Sequence, residues 1–121
     1  MNVGSSTKKI LVVEPNAYLS EALAGILTAF GYEVVGTTAQ CDEIINLVRE
    51  LEPDLLLIDF DLSQQTDIAA VKAQIPELKV VASLWHEAID ELAEIAKMDG
   101  LDGFVCKYGS RDDLLNSLST L

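Results

Sequence analysis

The chain is poor in the residues that most single-domain catalysts and nucleic-acid binders depend on. It has a single histidine, His86, with no Ser-His-Asp set around it and no second histidine for a metal cluster, and a self-standing enzyme is not expected. The two cysteines, Cys41 and Cys106, make no Cys-x-x-Cys pair and are far apart in sequence. That spacing excludes a zinc knuckle or a disulfide scaffold and fits a reducing, cytoplasmic compartment. Cys106 sits in an apolar run and is expected to be a buried thiol. Lys and Arg number 8 against 20 Asp and Glu, giving a formal net charge of -12. A protein that neutralises nucleic-acid phosphates or an anionic membrane needs the opposite balance, so both partners are excluded. A partner that reads this charge should itself be basic or carry a metal. Aromatic residues make up only 6%, which leaves the core to aliphatic side chains. No apolar run approaches the ~20 residues that span a bilayer. Met1 to Lys9 is too polar for a secretory signal.

What the chain does contain is alternation. Residues 1–7 read as a flexible polar tail and residues 8–121 as one domain. Short aliphatic runs recur at Ile10 to Val13, Tyr32 to Val35, Leu55 to Ile58, Val80 to Leu84 and Phe104 to Cys106. Between them, apolar residues return at helical spacing: Leu19, Leu23, Ile26, Leu27 and Phe30; Ile44, Leu47, Val48 and Leu51; Ile68, Val71 and Ile75; Ile89, Leu92 and Ala96; and finally Leu114, Leu115, Leu118 and Leu121. Gly31 is placed to close the first helix, Pro53 to stop the second, and Ser110 with Asp113 to form a capping box on the last. The segment from Asp61 to Asp67 reads as a polar connection. Several strands are apolar at every position, the pattern of strands covered on both faces. The expected fold is α/β: a doubly wound, five-stranded parallel sheet in the order 2-1-3-4-5, flavodoxin-like.

In such sheets ligands bind beyond the carboxyl ends of the strands. Glu14 follows the first run, Asp59 and Asp61 the third, and Lys107 the fifth. The strand order makes the first and third strands neighbours, so Glu14 and Asp59 should face one crevice. Adjacent carboxylates need a positive partner. An oxygen-only donor set suits Mg²⁺, and a nearby lysine adds a second positive charge toward phosphoryl oxygens. A flavin or cobalamin carrier on the same architecture would need a glycine-rich loop or a histidine ligand; Glu14-Pro15-Asn16 provides neither.

Three segments resemble the receiver domains of two-component response regulators: Lys8 to Glu14, Pro53 to Asp59, and Gly100 to Lys107. The stretch from Glu21 to Gly36 is similar to the subgroup that carries helix-turn-helix outputs. The resemblance implies a role for each matching residue. Asp59 corresponds to the acceptor of a phosphoryl group from a histidine kinase or phosphotransfer protein. Glu14 corresponds to the first of an acidic pair and Asp61 to the position whose backbone carbonyl reaches the metal. Lys107 matches the lysine that pairs with the phosphoryl group, and Phe104 the aromatic switch. The switch hydroxyl has two candidates: Trp85 by its interval from Lys107, and Ser83 by chemistry. The short interval after Asp59 implies a trimmed third helix.

Departures are as specific as matches. The second acid of the pair is Pro15, which removes a metal ligand. Ser63 stands where the family has proline after the phosphoacceptor, Thr66-Asp67 where it has Asp-Gly, and Tyr108 where it has proline after the lysine. Two functions are therefore expected in competition. One is a working receiver that is phosphorylated on Asp59 with Mg²⁺ and switches a partner or output domain through the face of its fourth and fifth helices, with homodimerisation as an option. The other is a pseudo-receiver, a phosphorylation-independent interaction module in which Mg²⁺ binding is weakened or lost. Trp85, Phe104 and Tyr108 belong to that face in either case.

Overall fold

A computed structural model describes residues 8–85, 100–107 and 110–121. Five parallel strands form one sheet in the order β2-β1-β3-β4-β5. They are β1 (Lys9–Val13), β2 (Glu33–Thr38), β3 (Leu55–Asp59), β4 (Lys79–Leu84) and β5 (Gly103–Cys106). The described helices are α1 (Ala17–Ala29), α2 (Ile44–Leu51), entered through a 3-10 turn over Cys41–Glu43, α3 (Phe60–Gln64), α4 (Ile68–Gln74) and α5 (Arg111–Ser119). The helix expected around Ile89, Leu92 and Ala96 lies outside the described residues, as do the expected tail and Tyr108.

The sheet is covered on both faces, which explains the unbroken aliphatic runs. Leu11, Val13, Leu56, Ile58, Val80 and Ala82 project to one side and pack with Ile44 and Val48 of α2 and Ile68 and Val71 of α4. Ile10, Val12, Leu55, Leu57, Val81 and Val105 project to the other, against Leu27 of α1 and Leu114 and Leu118 of α5. β3 is buried along its whole length. Each such side chain removed from water contributes roughly 1.5–3 kcal/mol before chain entropy is subtracted.

Local signals act mostly where the sequence puts them. Gly31 adopts φ 94 directly after α1, a left-handed conformation that costs glycine little, and its N–H bonds to Thr28 O. Ser110 and Asp113 form a reciprocal capping box on α5. α2 ends at Leu51, just before Pro53 as expected, with Glu52 turning into the left-handed region (φ 49) and donating to Val48 O. Three expectations need correction. The segment expected as a polar connection contains α3, because the Asp59 side chain caps it and the Ser63 hydroxyl bonds back to Phe60 O at 2.6 Å. Leu121 falls beyond the end of α5 and is 37% exposed. Cys106 is only half-buried, since β5 is the edge strand of the sheet. The trimmed helix after Asp59 is seen as α4, of 7 residues.

Candidate functional site

Parallel pairing of β1 with β3, in register from Ile10 with Leu55 to Val13 with Ile58, brings their carboxyl ends side by side. Glu14 leaves one and Asp59 ends the other. Both are buried, at 3% and 7% exposure, which is costly for carboxylates unless they are paired. Lys107 supplies the pairing. It follows β5, and its backbone N–H donates to Leu84 O at 2.7 Å, fixing its start at the end of β4. Its flexible four-carbon stem then crosses β4. Nζ arrives 2.5 Å from Asp59 Oδ1 and 2.8 Å from Glu14 Oε1. The Asp59 contact is an aligned hydrogen bond; the Glu14 contact is an ion pair outside hydrogen-bond alignment. Burial works against the Lys107 charge, but the contacts to Asp59 and Glu14 outweigh it and hold its pKa above the ordinary 10.5.

The remaining carboxylate oxygens face backbone donors. Glu14 Oε2 accepts from Asn16 N at 3.0 Å, and Asp59 Oδ2 accepts from Leu62 N at 3.1 Å. Asp59 therefore has two roles, as an acid at the sheet edge and as the N-cap of α3. Its α3 partner, Leu62, also receives Cys41 Sγ and Thr66 Oγ1 on its carbonyl, at 3.5 and 2.8 Å.

The other candidates are placed less uniformly. Trp85 is about half exposed, and its ring centroid lies 5.4 Å from Lys107 Nζ, within reach of a cation–π contact. Ser83 is buried and pairs in register with Asp59 on the adjacent strand. It lines a cavity of about 90 Å³ together with Leu19, Leu23, Val105, Lys107 and Leu114. Of the two switch candidates, Trp85 is the one set over the lysine head. Phe104 is half-buried and packs its ring 6.0 Å from that of Phe60, a partner the sequence reading did not name. Asp61 is exposed on α3, and its carbonyl accepts from Gln65 Nε2 at 3.4 Å. Among the described residues it does not join Glu14, Asp59 and Lys107.

The donor chemistry can be tested against Mg²⁺. That ion requires near-octahedral oxygen coordination and usually takes one or two carboxylates with several waters. Here only two carboxylates converge, an ammonium lies between them, and all four of their oxygens face Lys107 or a backbone N–H. Pro15 is exposed and offers no carboxylate. No group of three potential ligands occurs among the described residues. The arrangement does not fit a divalent cation.

The architecture agrees with comparison to known proteins. A family model for the response regulator receiver domain matches residues 10–119. The chain belongs to the response regulator receiver family. Chemotaxis protein CheY of Thermotoga maritima is 32% identical over 65 residues, covering 54% of each chain. Transcriptional regulatory protein MctR of Rhizobium johnstonii is 21% identical over 117 residues, or 93% of this chain and 54% of that one. The chain thus spans about half the length of these relatives. Among solved structures, the signal receiver domain of the putative response regulator NarL from Mycobacterium tuberculosis superposes with a TM-score of 0.79 at 18% identity, covering 95% of both chains. This likeness is one of fold. Among the described residues, no helix of this receiver is long and apolar enough to cross a membrane.

Proposed function

We propose that this receiver, in the cytoplasm, accepts a phosphoryl group on Asp59 from the phosphohistidine of a histidine kinase or phosphotransfer protein, and that the modified domain changes its affinity for an output domain or partner. The observation that carries this reading is the Lys107 ammonium 2.5 Å from Asp59 Oδ1 at the carboxyl edge of the sheet. In the transfer, an Asp59 oxygen attacks phosphorus, the phosphorus–nitrogen bond breaks, and the departing imidazole takes up a proton. The product is an acyl phosphate whose added negative charge Lys107 faces directly. Because the residues do not fit a divalent ion, the reading assigns no step to one. The face that includes Trp85 and Phe104 is the proposed partner surface, with a second copy of the chain among the candidate occupants.

The test is incubation with acetyl phosphate or a phosphorylated kinase, followed by intact-protein mass spectrometry. One added phosphoryl group, absent in Asp59→Asn, is expected. A wild-type protein that stays unmodified with both donors overturns the reading.

A second reading is favoured by Pro15 and by the tie between Asp59 Oδ2 and Leu62 N. In it the fold is kept as a phosphorylation-independent interaction module, a pseudo-receiver, with Asp59 retained as an N-cap and as the counter-charge of Lys107. Unchanged partner binding in Asp59→Asn would support it.

A further inference from the structure

We propose that the Lys107 ammonium is the resident cation of this site and excludes a divalent ion from it, so that the receiver's resting state is independent of Mg²⁺. The inference concerns the unmodified site and stands whether or not Asp59 is phosphorylated.

Three observations converge. The first is position. Nζ is within ion-pair distance of both acids at once, the place a bridging metal would need, and the lysine side chain is only 4% exposed. An ion that entered would meet a fixed positive charge at close range in a poorly hydrated pocket, where Coulomb repulsion is stronger than in bulk water. The second is charge. Glu14, Asp59 and Lys107 together carry one net negative charge, whereas the two acids alone would carry two. The third ligand that would restore a demand for a divalent ion is replaced by Pro15. The third observation is occupancy. Asn16 N and Leu62 N hold the outer carboxylate oxygens in part-buried hydrogen bonds, so neither acid turns toward an ion without giving up a bond it already makes. The half-exposed Trp85 ring, 5.4 Å from Nζ, adds a favourable surface for a cation that is already present.

Trp85 also makes the proposal testable, because it is the chain's single tryptophan and yields one indole N–H signal. Mn²⁺ serves as a paramagnetic probe that broadens only nuclei close to it, which separates this site from the many surface carboxylates. In the wild type, the indole signal is expected to keep its intensity at millimolar Mn²⁺. In Lys107→Met, which keeps an apolar stem and removes the charge, the signal is expected to lose most of its intensity. Adding Glu14→Gln to that variant should restore it. Circular dichroism verifies the fold, and Lys107→Gln, which removes the charge but keeps a polar head, decides the matter if Lys107→Met does not fold. Broadening in the wild type equal to that in the variants overturns the proposal. So does a failure of the folded variants to gain any broadening, since the ammonium would then not be what keeps the ion out.

Discussion

Lys107 reaches Asp59 across an intervening strand: the two residues sit at the ends of β5 and β3, and β4 separates them, yet Nζ and Oδ1 are 2.5 Å apart. A contact of this kind ties the edge strand to the sheet centre, and it makes each partner's burial depend on the other.

Removing the cation should therefore cost more than a surface ion pair would. Lys107→Met leaves Glu14 and Asp59 facing each other without compensation, at a cost of about 3 kcal/mol by analogy with other broken buried pairs. Urea denaturation of wild type and variant measures it. Adding Asp59→Asn to Lys107→Met should recover part of the loss; an additive double variant would show that the charges are not coupled.

The same pair sets an alkaline limit. A lysine whose pKa is raised in the folded protein contributes stability that is fully present below its ordinary value of 10.5 and disappears as pH rises through the higher folded value. The stability difference between wild type and Lys107→Met is expected to be constant from neutral pH to about 10 and to shrink above that. Thermal melts at matched ionic strength would show the trend, and a difference that grows with alkalinity would contradict it.

Asp59 substitutions should separate its two roles. Asparagine can still accept from Leu62 N and cap α3; alanine cannot. Asp59→Ala is expected to be less stable than Asp59→Asn by about 1 kcal/mol, as read by chemical denaturation. Asparagine is thus the proper control for phosphorylation experiments, because it removes the nucleophile and spares the helix.

Ser110→Ala should destabilise the protein by about 1 kcal/mol, because it removes the hydroxyl that accepts from Asp113 N and breaks the reciprocal box that starts α5. Ser110→Asp should restore most of the loss. Equal stability of all three proteins would show that α5 is held by Leu114 and Leu118 alone.

The covered parallel sheet was legible because it depends on burial. Leu55 to Ile58 and Val80 to Leu84 are apolar at consecutive positions, which only a sheet covered on both faces tolerates, and that topology then places Glu14, Asp59 and Lys107 at one edge. What escaped the sequence depends on side-chain direction. α3 has 5 residues, too few for an apolar period to show, and its decisive signal was hidden because Asp59 reads as the end of a strand before it reads as a cap. Ser83 lies within β4 and Trp85 just past its end; only the placement of the Lys107 head shows which ring or hydroxyl it meets. Cys106 was misjudged because its apolar neighbours do not reveal that β5 has no strand on its outer side.

The central placement of β3 bears on how the site can respond. That strand is paired on both edges and covered on both faces, so its backbone amides should exchange with solvent only when the whole domain opens, whereas those of β5 have a neighbour on one side alone. Asp59 is thus carried on the stiffest element of the molecule and Lys107 on one of its most yielding. A signal registered at this pair is therefore expected to show as displacement at the margin of the sheet, where the lysine is attached, with the middle of the sheet as the fixed frame against which that displacement is measured.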